Sequence, residues 1–318
     1  MTWLSLAVFL LGSLVCLPDE SLAMAVNKEH VSGLRMADAH SSLRSRRMVG
    51  GSLGTVPWQA MVYLSEGALD GGFAGGALIA DRWVLTAGRN LFVRKSREHT
   101  KGKEPIIPKV YLGMSNRKKA KDAEVAVEKV FLHPEFQNVS EWDNDLALIK
   151  LKEPVSYSDS IMPIPLPEGG EEPALKEGEK GVIAGWGWGA LLTPAEILKF
   201  LALPIASQSE CRAEYQDRGE VSRPNVDDKM FCTGPTKFQE NVCFGDAGGA
   251  LVLKDPRDSS VYAAGILSFD KSCTSEKHAV YTKISAYLPW IHSVMRGDTE
   301  KFSALRTSIV TEMLAKGA

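Results

Sequence analysis

The chain has 318 residues, with 37 Lys and Arg against 39 Asp and Glu and a formal net charge of −2. That balance gives no bulk electrostatic case for binding nucleic acid or an anionic membrane surface. The length suits one or two domains, and 28 glycines favour a turn-rich fold over a helical bundle.

The first organised stretch is apolar and runs from Trp3 to Val15. It has the length of a signal-peptide core and is short for a bilayer crossing. Small residues follow at Ala23-Met24-Ala25, so residues 1–25 are expected to be a signal peptide, although a basic start is missing and Asp19-Glu20 intrudes. No later stretch is long and apolar enough for a transmembrane helix. An extracellular protein is therefore expected. Cys16 leaves with the signal, which strands Cys211, Cys232, Cys243 and Cys273. Four cysteines outside the cell read as two disulfides, and their spacing alone permits three pairings.

Residues 26–47 are polar, free of cysteine, and end in Arg44-Ser45-Arg46-Arg47. This dibasic run suits cleavage after Arg47, which would make 26–47 a short propeptide and Met48 a new N-terminus. A solvated linker is the plainer alternative. From Pro57 the pattern turns strand-like. Trp58 to Leu64 is apolar and β-rich, and Gly75 to Leu85 holds two more short strands around Asp81-Arg82. Short strands with turn signals at regular spacing argue for a barrel or sandwich. The basic stretches Arg94–Lys103, with His99, and Arg117–Lys121 read as solvated loops. Asn138-Val139-Ser140 is a glycosylation sequon at Asn138. Residues 293–318 form a C-terminal tail. Leu305, Ile309 and Met313 recur there at helical spacing and predict a short amphipathic helix.

Several motifs converge on one family. Cys243-Phe244-Gly245-Asp246-Ala247-Gly248-Gly249, Trp83-Val84-Leu85-Thr86-Ala87-Gly88-Arg89-Asn90 and Asn144-Asp145-Leu146-Ala147-Leu148-Ile149-Lys150 resemble the nucleophile, base and acid segments of the trypsin-like serine proteases. Met48-Val49-Gly50-Gly51, Gly181 to Gly187, Met230 to Gly234, Gly265 to Phe269 and Trp290-Ile291 extend the resemblance over residues 48–292. It implies an all-β fold of two antiparallel six-stranded barrels that meet near residue 160, with a C-terminal helix. It also selects the disulfides Cys211–Cys232 and Cys243–Cys273. In addition, it implies that a freed Met48 α-ammonium pairs with Asp246, whose burial without a partner would cost several kcal/mol.

The chain departs from the family where the chemistry is done. Ala247 stands at the attacking serine, and a methyl group cannot attack a carbonyl. Arg89 stands at the imidazole, and a guanidinium accepts no proton. Asp145 alone survives, so these are remnant triad positions and no enzyme is expected. Ala74 and Asn90 stand where the family usually has a linked pair of cysteines. Asn241 occupies the position that sets primary specificity. Asp270 replaces a usual glycine, and its side chain would obstruct an extended peptide.

Finer matches resemble the haptoglobins, the haemoglobin-binding branch of this family. They are Arg89-Asn90-Leu91-Phe92, Lys237-Phe238-Gln239-Glu240 before Cys243–Gly248, and Gly265 to Cys273. The resemblance implies a secreted plasma protein of acute-phase type whose loops bind the haemoglobin αβ dimer, with a clearance receptor as a further partner. Phe238, Phe269, Asp270 and Lys271 are the candidate contacts, with pocket-wall packing as their alternative role. No cofactor or metal is expected, since no His or Cys cluster suits haem ligation. The short segment before Arg47 is similar to fish-type haptoglobins without complement-control modules, so dimerisation through such modules is not expected. Two other readings are open: a pseudo-protease serving as growth factor, decoy or immune protein, and an active protease with a displaced triad.

Overall fold

A computed structural model describes residues 52–54, 56–64, 72–92, 103–137, 142–168, 172–188, 193–216, 224–234, 241–270, 273 and 276–297. The signal segment, Arg47 and Met48, the sequon at Asn138, Phe238, Lys271 and the tail helix lie outside the described residues. Asp270 is described in its backbone only.

The fold is two curled antiparallel sheets. The first is built from β2 (Gln59–Tyr63), β3 (Phe73–Ala80), β4 (Trp83–Thr86), β5 (Lys109–Tyr111), β6 (Glu124–Val125), β7 (Val127–Leu132) and β8 (Ala147–Leu151), in the order β6-β5-β2-β3-β4-β8-β7. The second is built from β1 (Ser52–Leu53), β9 (Lys180–Gly185), β10 (Lys199–Pro204), β11 (Met230–Thr233), β12 (Ala250–Lys254), β13 (Val261–Asp270) and β14 (Ala279–Lys283), in the order β1-β10-β9-β12-β13-β14-β11. Among the described residues each sheet thus has six strands of three or more residues and one two-residue strand, β6 or β1. Curling the sheet disposes of the edges that an open sheet would expose. In the first sheet, β6 pairs with β5 and the chain runs straight on into β7, which pairs with β8. In the second, a bridge from Ile205, just beyond β10, to Thr233 of β11 brings the far edges together.

The central strands form because their residues are apolar and buried on both faces, whereas β7 at the edge has no fully buried position. β4 is buried throughout, and β8 is buried at every position but Lys150. The link between the barrels runs through 162–165 and is pinned to both. Met162 N–H donates to Pro57 O at 3.1 Å, Ile164 N–H to Leu78 O at 2.9 Å, and Pro165 O accepts from Ala263 N–H at 2.9 Å. One apolar core continues across the joint, from Leu78, Leu85 and Leu148 to Val252, Ile266 and Ile291.

Two local elements differ from the strand-and-loop expectation. Residues Arg117–Ala123 form a kinked 3-10 run, started by the Asn116 side chain accepting from Lys118 N–H at 2.9 Å. α1 (Gln208–Tyr215) is a two-turn helix anchored through buried Cys211 and Tyr215. The chain closes in α2 (Leu288–Met295), with Pro289 in its first turn and Leu288, Ile291 and Val294 facing the core. The disulfides are Cys211–Cys232 and Cys243–Cys273. The first ties α1 to β11, and the second ties the 243–249 loop to the segment after β13. Among the described residues no helix is long and apolar enough to cross a membrane.

Candidate functional site

The site lies where the two barrels meet, around Asp145. Its side chain is 0% exposed. Oδ1 accepts from the Arg89 backbone N–H at 2.8 Å, and Oδ2 accepts from Ser268 Oγ at 2.6 Å. Thr282 Oγ1 donates to the Asp145 carbonyl at 3.2 Å. Asp145 precedes β8, Arg89 sits in the 3-10 turn Gly88–Leu91, and Ser268 and Thr282 lie on β13 and β14. Asp145 therefore ties its own segment to three others, the 3-10 turn and β13 through its carboxylate and β14 through its carbonyl. Hydrogen bonds to the ionised form are the strong kind.

Arg89 meets Asp145 only through its backbone N–H among these bonds. Its guanidinium lies on the ring of Trp142, with Cζ 3.2 Å from the ring centroid. Trp142 is 5% exposed and packs edge-on against Phe269 at 4.4 Å, and Phe269 in turn meets Tyr215 at 5.6 Å. Arg89, Trp142, Phe269 and Tyr215 make one continuous file along the cleft. A guanidinium over an indole is the strongest common pairing of a cation with an aromatic face.

Ala247 is fixed by its carbonyl. That oxygen accepts from Gly75 N–H at 2.8 Å and from Asn90 Nδ2 at 2.9 Å. Asn90 Nδ2 also lies 3.3 Å from Thr86 Oγ1, which donates to Gly75 O at 2.8 Å. Asn90 is 4% exposed. At the place where a cystine would link this turn to β3, the amide links the turn to the 243–249 loop instead. The loop itself demands glycine. Gly248 has φ +91°, and a Cβ there would strike Gly75 O, Thr86 Oγ1 and Asn90 Nδ2.

Asp246 is 0% exposed and accepts from two backbone donors, Gly187 N–H at 2.8 Å and Cys243 N–H at 2.9 Å. A Cβ at Gly185 or Gly187 would overlap its carboxylate. Asn241 is 3% exposed. Its Nδ2 donates to Lys277 O at 2.9 Å, and its Oδ1 accepts from Val242 N–H at 2.9 Å.

The described histidines are engaged elsewhere. His133 packs edge-on against Tyr287 and Trp290, each at 5.1 Å, and burial pushes its pKa down to about 4. His278 Nδ1 is 2.6 Å from Glu214 Oε2. His292 is in α2, where burial, with Arg296 nearby, lowers its pKa. Among the described residues no group of three or more His, Cys, Asp or Glu could hold a metal ion.

The Trypsin family model matches residues 49–291. The chain belongs to the trypsin family. Within that family it is haptoglobin-like. It is 35% identical over 263 residues to the haptoglobin of Mesocricetus auratus, covering 79% of this chain and 70% of that one. It is 36% identical over 265 residues to the haptoglobin of Bos taurus, covering 79% and 61%. With the haptoglobin of Canis lupus familiaris the identity is 34% over 266 residues, covering 80% and 75%. The chain thus spans less than two thirds of the bovine relative.

Arg89, Asp145 and Ala247 are brought together in this trypsin-family cleft, and Phe269 lies in the same file. Of the other candidate contacts, Asp270 has its backbone in β13, and Phe238 and Lys271 are outside the described residues. Sequence reasoning missed Trp142 and the role of Asn90. Trp142 stands three residues before Asp145, and an aromatic that near a site aspartate was the available signal. Asn90 was visible as a missing cysteine but not as a hydrogen-bond link.

Proposed function

We propose that this protein is a secreted, non-catalytic serine-protease homologue that binds free haemoglobin. The observation that carries the reading is the pair Arg89 and Ala247 in a cleft whose support is intact. Asp145, Ser268, Asp246 and the glycines of the loop keep their places, while the two positions that would attack and accept a proton hold a guanidinium and a methyl. Loss of nucleophile or base alone costs roughly six orders of magnitude in a related mechanism. Likeness to haptoglobins across most of the chain supports haemoglobin as the partner and plasma as the location.

On this reading residues 1–25 are removed as a signal, 26–47 form a short propeptide, and 48–292 form the binding domain. Cleavage after Arg47 frees the Met48 α-ammonium to approach Asp246. Asn138 carries a glycan, and Phe238, Phe269, Asp270 and Lys271 contribute to the haemoglobin contact. A clearance receptor would then take up the complex. No cofactor takes part. Pull-down of the purified protein on immobilised haemoglobin tests the reading. Retention at micromolar concentration supports it. Lack of retention removes it and leaves a pseudo-protease with another protein partner.

A further inference from the structure

We infer that the substrate groove is plugged by the protein's own Arg89–Trp142–Phe269 file, so that a partner engages the rim of this cleft and inserts no extended segment into it. This goes beyond loss of catalysis. Replacing two reactive groups would still leave a groove able to bind peptide, whereas the file removes the room.

The argument starts from the strand edges. An extended peptide binds such a fold by adding to an exposed sheet edge. β13 is paired with β14 on one side through Phe269↔Val280 and Asp270↔Ala279. On its other side Leu267 exchanges hydrogen bonds with the 243–249 loop: Gly248 N–H donates to Leu267 O at 2.7 Å, and Leu267 N–H to Gly249 O at 2.9 Å. The stretch available to an incoming strand is therefore the cleft side of residues 268–270, in front of the Phe269 ring. That space is taken. Trp142 stands 4.4 Å from Phe269, ring centroid to centroid, too close for a third group to lie between them. Arg89 covers a face of the same indole at 3.2 Å. Ser268 Oγ is turned toward Asp145. Asn241 adds no charge of its own, and its amide is engaged by backbone partners.

The plug is held in place by groups unrelated to any ligand. Arg89 is fixed by its backbone bond to Asp145, and Phe269 is backed by Tyr215 of α1, itself tethered by its hydroxyl to His278 O. Opening the groove therefore means separating the stacked cation and indole and moving a buried tryptophan. Ala247, at the cleft floor, is half-buried and remains within reach of small molecules.

A thiol reporter tests this in the full-length protein without any need for catalysis. Ala247→Cys places a nucleophile on the floor. A chloromethyl ketone alkylates it by forming an S–C bond and expelling chloride. The rate with a peptidyl chloromethyl ketone is compared with that of chloroacetamide, which needs no groove. In Ala247→Cys, chloroacetamide reacts and the peptidyl reagent gains no saturable advantage. Adding Trp142→Ala raises the peptidyl rate by at least about tenfold while the chloroacetamide rate stays within about twofold. Arg89→Ala gives a smaller gain and serves as the second variant should Trp142→Ala fail to fold. A large peptidyl advantage in Ala247→Cys alone would overturn the inference. So would no gain from either opening variant, equal gains for both reagents, or a thiol unreactive to chloroacetamide. Haemoglobin binding is scored separately on each variant, so failure of the plug and failure of the haemoglobin reading are told apart.

Discussion

Asn90 is the residue through which the loss of a covalent link can be measured. Its Nδ2 donates to the Ala247 carbonyl at 2.9 Å inside the protein. Asn90→Ala removes that bond but orphans nothing, because Ala247 O still accepts from Gly75 N–H at 2.8 Å and Thr86 Oγ1 still donates to Gly75 O. The cost is therefore about 1 kcal/mol for one net hydrogen bond. A further 1 kcal/mol or so comes from the cavity left by the amide. For a domain of this size about 2 kcal/mol lowers the unfolding midpoint by roughly 4–8 °C. Asn90→Asp turns a carboxylate oxygen toward the Ala247 carbonyl in a buried site and costs more, about 3–5 kcal/mol. Ala74→Cys with Asn90→Cys trades the amide for a cystine closing a loop of about 15 residues, worth roughly 3 kcal/mol, and comes out close to or slightly above wild type. Urea unfolding followed by tryptophan fluorescence gives all three numbers. If Asn90→Ala matches wild type within about 0.5 kcal/mol, or if Asn90→Asp costs no more than Asn90→Ala, the amide does not link the two segments as described.

Ala247→Ser alone restores a hydroxyl without a base, and is expected to show no labelling by a fluorophosphonate probe above wild type; labelling would mean that another group activates it. Gly187→Ala drives a methyl into the Asp246 carboxylate. It is expected to cost about 3 kcal/mol or to abolish secretion of folded protein, whereas wild-type stability in this variant would show that the Asp246 pocket is loose. His133 has its pKa pushed from 6.5 to about 4, chiefly by burial against α2 and its 3-10 lead-in, with Glu135 opposing and Lys229 adding to the shift. The unfolded chain then binds the extra proton first as pH falls below 6.5. The contribution is complete above pH 6.5 and lost as pH falls toward about 4. His133 is partly exposed, which cuts the effect to about 1 kcal/mol. Its signature is a fall in urea midpoint over that range that His133→Gln flattens, and an unchanged slope in His133→Gln would refute the assignment.

A barrel or sandwich was legible in the short apolar runs separated by turn residues, and the double barrel followed only from the resemblance carried by the 83–90, 144–150 and 243–249 motifs. The altered centre was legible because Ala247 and Arg89 sit inside motifs whose other letters are intact. α1 was not read, since two turns around one cysteine carry too little periodicity to stand out. The backbone partners of Asp246 were not legible. A salt bridge can be guessed from two charged groups, but the backbone N–H groups of Gly187 and Cys243 become donors only once the loops have folded around the carboxylate. The Arg89–Trp142 stack escaped for a related reason. Arg89 reads as a lost base, and nothing in a linear chain says which ring its side chain will cover.

Titration of the full-length protein with haemoglobin, followed by size-exclusion chromatography, tests the central claim most directly. The account predicts that haem absorbance co-elutes with the protein at a volume ahead of free haemoglobin dimer, at micromolar concentration and with no peptide-bond cleavage of either partner. Haemoglobin eluting unshifted at that concentration, or fragments of globin in the mixture, would contradict it.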